Sequence, residues 1–479
     1  MRKRLLIINP PSPDPKYLVI RDVNRSGRMT RERMIWPQTN LAYLAAIIRD
    51  RVDVEVIDCI AEKISWGRLQ TILRKKRPDF VLSNVISTTL TNDMYLFFLA
   101  KQYGAVCIAM GPHVTDLPGK SLLHFPALDY AIVHEPEYTF RELIEALLAG
   151  VEDFSEIQGL AWRRGGAPIV NAARPFIENL DALPMPAHEL LPLDHYRMPF
   201  FGNYTFIIAG RGCPFHCIFC RQNVMWHSHV RMRSGNSLFE ETKYLLSLGV
   251  KNILYQADTF TANRKTVVDL CKLIIAAGLR FKWACNTHLS TVDEELLQLM
   301  KRAGCWMIAP GIESCSQKVL NNIQKKTTVE QIHRVTRMIH DAGIEVWGYF
   351  VFGLPGDTVK SLENSIHCAL RLPLDMANFA VAAPYPGTPF FEQVTEAGWL
   401  RAESWEQFDQ NWSAVVEYPE LSREQILKAV KRANLRFYAR PKPIRKILGE
   451  CIRDPAMMLS LVHIIWDHLR FLAGKETHA

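Results

Sequence analysis

Several familiar functional signals are missing from this 479-residue chain. No G-x-G-x-x-G motif follows its first apolar run, Leu5–Ile8, so the phosphate-binding turn of a dinucleotide domain is absent there. No run of ~20 apolar residues is free of charge, as a membrane-spanning helix requires. The start reads Met1-Arg2-Lys3-Arg4, then four apolar residues, then Asn9-Pro10-Pro11. That apolar core is too short for a secretory signal, so a cytoplasmic location is expected. Excess charge is scarce as well. A net charge of +8 is modest for this length, and no nucleic-acid module accompanies it, so nucleic acid is not an expected partner.

What remains is the material of a multi-domain globular protein. Hydrophobic residues make up 48% and charged residues 22%, enough to bury two or three cores of ordinary domain size. Cys59, Cys107, Cys271, Cys285, Cys305, Cys315, Cys368 and Cys451 stand apart in the sequence. In a reducing compartment they read as small buried hydrophobes rather than disulfide partners. Positive charge gathers in two places: Arg21, Arg25, Arg28, Arg31 and Arg33, and then Lys428, Lys431, Arg432, Arg436, Arg440, Lys442, Arg445 and Lys446. Solvated faces and anionic-ligand contacts are one reading, and an anionic membrane surface is the other.

The first 150 residues alternate short β-branched runs with amphipathic segments. Strands are predicted at Leu5–Ile8, Val54–Ile57, Phe80–Ile86, Ala105–Gly111 and Tyr130–His134. Helices are predicted at Asn40–Arg49, Trp66–Lys76, Asn92–Gln102 and Tyr138–Leu148. The fold class is therefore α/β, beginning with a doubly wound parallel sheet, which binds ligands at its strand carboxyl ends. The turns there hold Asn9-Pro10-Pro11, Ser87-Thr88-Thr89, Gly111-Pro112-His113-Val114-Thr115 and Glu135-Pro136-Glu137, small or hydroxylated residues that suit a bulky ligand with polar groups.

Residues 151–198 read as a connector, with a hairpin at Leu160–Arg164 and Ile169–Asn171 and then a proline-pinned stretch. A second βα series follows over 199–400. Its strands are predicted at Phe206–Ala209, Asn252–Tyr255, Lys282–Ala284, Trp306–Pro310, Glu345–Val351 and Phe379–Ala383, with helices such as Leu238–Leu248, Arg264–Ala277 and Asp293–Ala303. Six such units make a partial barrel, whose working groups belong at the strand carboxyl ends. Asp258-Thr259-Phe260-Thr261, Asn286, Gly311-Ile312-Glu313-Ser314, Gly353-Leu354-Pro355-Gly356-Asp357 and Pro384-Tyr385-Pro386 stand there.

The three remaining cysteines lie in Gly212-Cys213-Pro214-Phe215-His216-Cys217-Ile218-Phe219-Cys220, spaced C-x3-C-x2-C. Thiolates favour iron–sulfur clusters and zinc. Structural zinc takes four protein ligands, usually from two paired halves. Here there is one half, so zinc would need His216 or a distant residue. Three thiolates on a 4Fe–4S cubane instead leave one iron open to a small molecule.

This loop resembles that of radical S-adenosylmethionine (SAM) enzymes, and the strand-end motifs resemble that family in order and spacing over roughly residues 1–440. The first domain, residues 1–150, resembles the Rossmann-like cobalamin-binding domain that precedes many radical SAM domains, through the Gly111–Thr115 turn and Glu135-Pro136-Glu137-Tyr138-Thr139. The histidine-ligand signature D-x-H-x-x-G is absent, since the second strand runs into Asp58-Cys59-Ile60-Ala61-Glu62, so a histidine-ligated cobalamin is not implied. His134 also departs from the glycine common in relatives.

The resemblance implies a 4Fe–4S cluster on Cys213, Cys217 and Cys220, with Phe219 packing near the adenine of SAM. It implies SAM contacts at Asp258, Glu313 and Ser314, and close backbone approach to the adenosine at Gly353 and Gly356. Cobalamin would lie against Pro10, Ser87, Thr88, Gly111, His113, Val114 and Glu135. Tyr385 would line the barrel mouth, as a hydrogen-atom donor or as packing. Two bland readings stay open: Asp258 as an N-cap ahead of Thr261–Val267, and Glu313 as a structural carboxylate. The loop over Arg21–Arg33 with Trp36, long for a βα turn, reads as a lid.

The activity implied is a deoxyadenosyl radical taking hydrogen from an unactivated carbon of a small hydrophobic substrate, with a methyl group then supplied by cobalamin. A flavodoxin or ferredoxin would serve as reductant. The alternatives are a cyclase or ring-contracting enzyme of tetrapyrrole or hopanoid synthesis, and a non-catalytic sensor. Residues 401–479 read as a helical extension: Ser422–Tyr438 ends at Arg440-Pro441, and apolar Ala456–Leu472 is either an in-plane membrane helix at the inner face or a helix packed on the barrel.

Overall fold

In a computed structural model the chain forms two compact units. The described residues are 2–22, 26–27, 34–199, 201–411 and 413–453. Ala456–Leu472, and Arg25, Arg28, Arg31 and Arg33 of the expected lid, lie outside them.

The first unit ends at Tyr196. Its strands are β1 (Arg4–Asn9), β2 (Asp53–Asp58), β3 (Phe80–Asn84), β4 (Val106–Met110), β5 (Tyr130–Ile132), β6 (Leu160–Arg164) and β7 (Ala167–Val170), with helices α1 (Thr39–Ile48), α2 (Trp66–Lys76), α3 (Leu90–Lys101) and α4 (Pro136–Leu148) between them. The sheet order is β2-β1-β3-β4-β5-β6-β7, and the first five strands are parallel. Leu5 to Ile8 are fully buried, as an unbroken apolar run demands when both faces of a strand are covered. The chain reverses direction across the sheet at β1, with β2 on one side and β3 on the other, and ligands of such sheets bind outside that switch point.

The hairpin expected within a connector instead pairs antiparallel with β5, through Ala131 to Ala161 and Ile132 to Leu160. Leu160 and Ala161 are fully buried. Without them β5 would be an unpaired edge, so the region after residue 151 is part of the first unit.

The second unit carries β8 (Thr205–Ile208), α5 (Gly235–Ser247), β9 (Asn252–Gln256), α6 (Arg264–Ala276), β10 (Lys282–Thr287), α7 (Glu294–Arg302), β11 (Cys305–Glu313), α8 (Val329–Asp341), β12 (Glu345–Phe352), α9 (Val359–Arg371) and β13 (Met376–Val381). Its six strands are all parallel and lie in sequence order. The register of β11 against β12 shifts between Gly311 and Glu313, a bulge of the kind that re-aims a side chain.

The C-terminal helix α10 (Arg423–Tyr438), part of the expected helical extension, packs on the last strand of this unit. Phe437 lies edge-on to Phe379 of β13 with centroids 6.0 Å apart, and the Tyr438 hydroxyl donates to the Ala377 carbonyl at 2.6 Å. Pro441 was expected only as a stop; it also opens α11 (Pro441–Arg453), since proline at a first helical position lacks a donor that has no partner there anyway. Much of the C-terminal positive charge is engaged within the unit: Arg432 and Arg436 with Glu363, Lys442 with Asp375, Lys446 with Glu345.

At the carboxyl end of β2, buried Asp58 accepts from Asn9 Nδ2 at 2.7 Å, from the Ile60 and Ala61 amides and from the Tyr196 hydroxyl at 3.1 Å. Burial pushes its carboxyl up to about 6 in spite of these donors. The folded state thus holds this proton more tightly than the unfolded chain does. The resulting stability is present below about pH 4 and is lost as pH rises through about 6, amounting to about 3 kcal/mol. In Asp58→Asn this dependence should vanish. Urea midpoints at pH 4, 5, 6 and 7 check it, and an unchanged slope would refute the assignment.

Candidate functional site

The cysteine loop leaves β8 through a two-residue ribbon, Gly210–Arg211 against Arg231–Met232. Gly212 has φ +88°, and a Cβ there would overlap the His229 carbonyl, so only glycine fits before Cys213. The loop is fixed by backbone bonds: Gly212 N–H to Asp258 Oδ2 at 2.7 Å, Ile218 N–H to the Ile323 carbonyl, and Phe390 N–H to the Ile218 carbonyl. The Cys220 amide closes a turn on the Cys217 carbonyl. Phe215 stacks on His288 with ring centroids 3.6 Å apart. Exposed His216 lies 3.0 Å from Ser228 Oγ through Nδ1. Phe219 is half-buried.

Asp258 therefore anchors the loop backbone. The cap of α6 is Asn263, so the N-cap reading of Asp258 falls away. Cys213 Sγ lies 3.2 Å from Thr259 Oγ1. Glu313, at the bulge with φ +62°, pairs with Lys325 Nζ at 2.8 Å, both side chains about nine-tenths buried. A Cβ on Gly311 would run into both charged groups, so that glycine makes the room for them. Lys325 escaped the sequence reading because Gln324-Lys325-Lys326 looks like an ordinary surface run. Ser314 Oγ lies 3.3 Å from Ser365 Oγ on α9.

The room that a side chain would take at Gly353 and Gly356 is filled by Ile426 and Asn322, so both glycines have a packing reason. Asp357 accepts from the Gly353 and Leu354 amides, and burial pushes its carboxyl up to about 6. Tyr385 is buried, with Arg221 over its ring at 5.6 Å.

Electrostatics tie these groups together. Burial pushes the Cys217 thiol up to about 11, and the Cys213 and Cys220 thiols also rise. Cys213 as a thiolate raises Cys217 and Cys220, and Cys217 raises Cys220, so the three sulfurs lie within electrostatic reach of one another. Burial alone would lower the Lys325 ammonium, but Glu313 and the cysteines raise it further, so it is held charged. Burial, then the Lys325 charge, lowers His288 to about 4, so its ring is neutral as it bonds the Lys325 carbonyl through Nε2 at 3.0 Å. Buried thiolates of this kind need cationic partners, which iron supplies. Among the described residues no three His, Cys, Asp or Glu side chains converge as ligands of one ion. A 4Fe–4S cluster would be held by one thiolate each from Cys213, Cys217 and Cys220.

In the first unit, the residues expected around cobalamin gather at the strand carboxyl ends. Ser87 Oγ lies 3.0 Å from His113 Nδ1, and both are buried. Gly111 has φ +108°, and a Cβ there would collide with Asn84. Val114 and Glu135 are buried, with Glu135 Oε2 accepting from the Ile177 amide at 2.6 Å. Arg21, expected in a lid, is fully buried: it pairs with Asp93 at 2.9 Å and donates to Asn9 and to the carbonyls of Pro10 and Pro11. His134 takes φ +63°, which explains why glycine suits that position. Three buried oxygens after and within β3, Ser83 Oγ, Asn84 Oδ1 and Thr88 Oγ1, have no hydrogen-bond partner among the described residues. An unmet buried polar group costs ~1–3 kcal/mol, so a polar ligand is what this end of the sheet is suited to hold. A cleft lined by Arg2, Arg4, Arg49, Asp53 and Glu189 lies at the amino ends of β1 and β2, away from these groups.

Residues 207–369 match the sequence profile of the radical SAM superfamily. An uncharacterized methyltransferase of Pyrococcus horikoshii is 32% identical over 86% of this chain and 90% of its own length. The anaerobic magnesium-protoporphyrin IX monomethyl ester cyclase of Cereibacter sphaeroides is 28% identical over 84% of this chain and 67% of its own. Among solved structures, the fold is similar to that of the radical SAM methyltransferase TsrM from Kitasatospora setae, solved with cobalamin and a [4Fe-4S] cluster (TM-score 0.71, 16% identity, 90% of this chain and 91% of that one). It is also similar to the cobalamin-dependent SAM radical enzyme OxsB (TM-score 0.72, 15% identity, 98% and 72%).

Lys325→Met would leave Glu313 buried without its partner, a loss of about 3 kcal/mol in the second unit. The double variant Lys325→Met, Glu313→Gln should regain at least half of it. Urea unfolding of both checks this, and equal losses in the two would contradict the pairing.

Proposed function

Because the chain belongs to the radical SAM superfamily, we propose that it is a cobalamin-dependent radical SAM methyltransferase that modifies an unactivated carbon of a small, hydrophobic molecule. The carrying observation is the set of three cysteines, Cys217 buried and Cys213 and Cys220 half-buried, on one hydrogen-bonded loop within electrostatic reach of a buried Lys325–Glu313 pair. When bound, the cluster supplies the electron that cleaves SAM to a 5′-deoxyadenosyl radical, and cobalamin supplies the methyl group.

The chain's own residues do the binding. Cys213, Cys217 and Cys220 hold the cluster, and Asp258 keeps the loop in register through the Gly212 amide. Lys325 offers a cation to the SAM carboxylate, while Glu313 and Ser314 offer acceptors to its amino and ribose groups. Phe219 packs by the adenine, and Tyr385 lines the substrate side. In the first unit Pro10, Ser87, Thr88, Gly111, His113, Val114 and Glu135 bound the corrin site, with Ser83 and Asn84 adding polar atoms that lack partners among the described residues. With no D-x-H-x-x-G histidine, His113 bonds Ser87 rather than serving as a lower ligand. A low-potential protein such as flavodoxin or ferredoxin supplies the electron. No comparison supports a non-catalytic sensor. Cyclisation or ring contraction is the second reading, favoured by the likeness to the magnesium-protoporphyrin cyclase.

A peripheral contact with an anionic membrane at the inner face is a further part of the proposal. Ile444, Leu448 and Ile452 are exposed at four-residue intervals along α11, a stripe suited to the headgroup boundary. No helix of the described residues is long and apolar enough to cross a membrane. The full chain should float with phosphatidylserine vesicles and Leu448→Ser, Ile452→Ser should not; equal flotation would contradict this contact.

The anaerobically reconstituted chain, with SAM, cobalamin and reductant, should yield 5′-deoxyadenosine together with a product one methyl heavier than the substrate. An isomer or an oxygenated ring would favour the second reading, and no deoxyadenosine from a fully loaded cluster in the presence of substrate would refute both.

A further inference from the structure

Two cysteines that stand 53 residues apart in the sequence are bonded in the structure: Cys315 and Cys368 form a disulfide. This corrects the expectation that both are lone buried hydrophobes. Cys315 follows Glu313 and Ser314 at the carboxyl end of β11, and Cys368 lies on α9. The same helix already grips that turn through Ser365, whose Oγ accepts the Cys315 amide at 2.9 Å and lies 3.3 Å from Ser314 Oγ. Cys315 is half-buried, open to a small reagent, whereas Cys368 is buried. Exposed His333 on α8 lies 3.9 Å from Cys368 Sγ through Nε2.

We propose that Cys315 and Cys368 are a reversible redox site that sets the order of the Glu313–Ser314 turn. In a reducing compartment, protein disulfides are usually transient and sensing rather than structural. In the oxidising direction, one protein thiolate attacks a low-molecular-weight disulfide and expels one thiol. The second protein thiolate then attacks the mixed disulfide and expels the other. Two protein thiols and one external disulfide become one protein disulfide and two external thiols, a two-electron exchange. Oxidation adds a covalent tether to the two Ser365 contacts, and reduction leaves the turn to those contacts alone. Any consequence for SAM rests on the reading of the site given above, but the ordering of the turn does not.

The test uses the full-length chain equilibrated anaerobically across glutathione to glutathione-disulfide ratios, acid-quenched, alkylated and digested. The Cys315–Cys368 linked peptide should follow one two-electron transition and be absent from Cys368→Ser. Amide exchange across residues 313–317 should be ~10-fold faster in the reduced protein than in the linked one. Cys315→Ala, which alters only the half-exposed partner, should show the fast rate at every ratio. Alkylation of both cysteines at every ratio would overturn the proposal, as would equal exchange in the linked and reduced forms. Neither readout needs the cluster or SAM, so failure here is separable from failure of the proposed function.

Discussion

Charge balance around buried sulfur is the constraint on which the second unit turns. A thiol buried away from water resists ionisation, and burial pushes Cys217 up in this way. Three such sulfurs on one loop become stable thiolates only against positive charge. Lys325 is a buried cation whose charge lowers the Cys213 and Cys217 thiols, and Glu313 holds it. Iron would supply the rest. The bulge that turns Glu313, the missing side chain of Gly311 and the neutral ring of His288 over the Lys325 backbone all follow from placing one ammonium beside that loop.

The fold supports this by simple means. Parallel strands end together, so groups distant in sequence meet at one edge. Asp258 comes from the end of β9, yet it fixes the backbone ahead of Cys213. In the first unit the corresponding edge collects Asn9, Asp58, Ser87 and His113, and the Arg21–Asp93 pair ties the Asn9–Pro11 turn to α3. Charged and neutral groups there satisfy one another, and among the described residues Ser83 Oγ, Asn84 Oδ1 and Thr88 Oγ1 are left without a partner.

Much of this was legible in the sequence, for physical reasons that differ by element. The strands were readable because parallel strands covered on both faces must be apolar throughout, as in Leu5–Ile8. The cysteine loop was readable because ligand spacing is local. What escaped depends on distance or on burial of residues that usually face water. Lys325 and Arg21 look like surface charges until a bulge and a turn enclose them. The Cys315–Cys368 bond spans 53 residues and has no local signal. The hairpin β6–β7 was recognised, but its place on the sheet was not, because nothing within a hairpin says which edge it covers. Gly353 and Gly356 carry a packing reason that the motif alone does not reveal, since Ile426 and Asn322 fill the room a side chain would take there.

The central claim is that the three cysteines carry a cluster with one iron open to SAM. Electron paramagnetic resonance of the reduced, anaerobically reconstituted chain tests it most directly. The account predicts a 4Fe–4S signal that shifts when SAM is added and is absent when Cys213, Cys217 and Cys220 are all changed to Ala. A signal indifferent to SAM, or a loop that retains zinc and no iron, would contradict it.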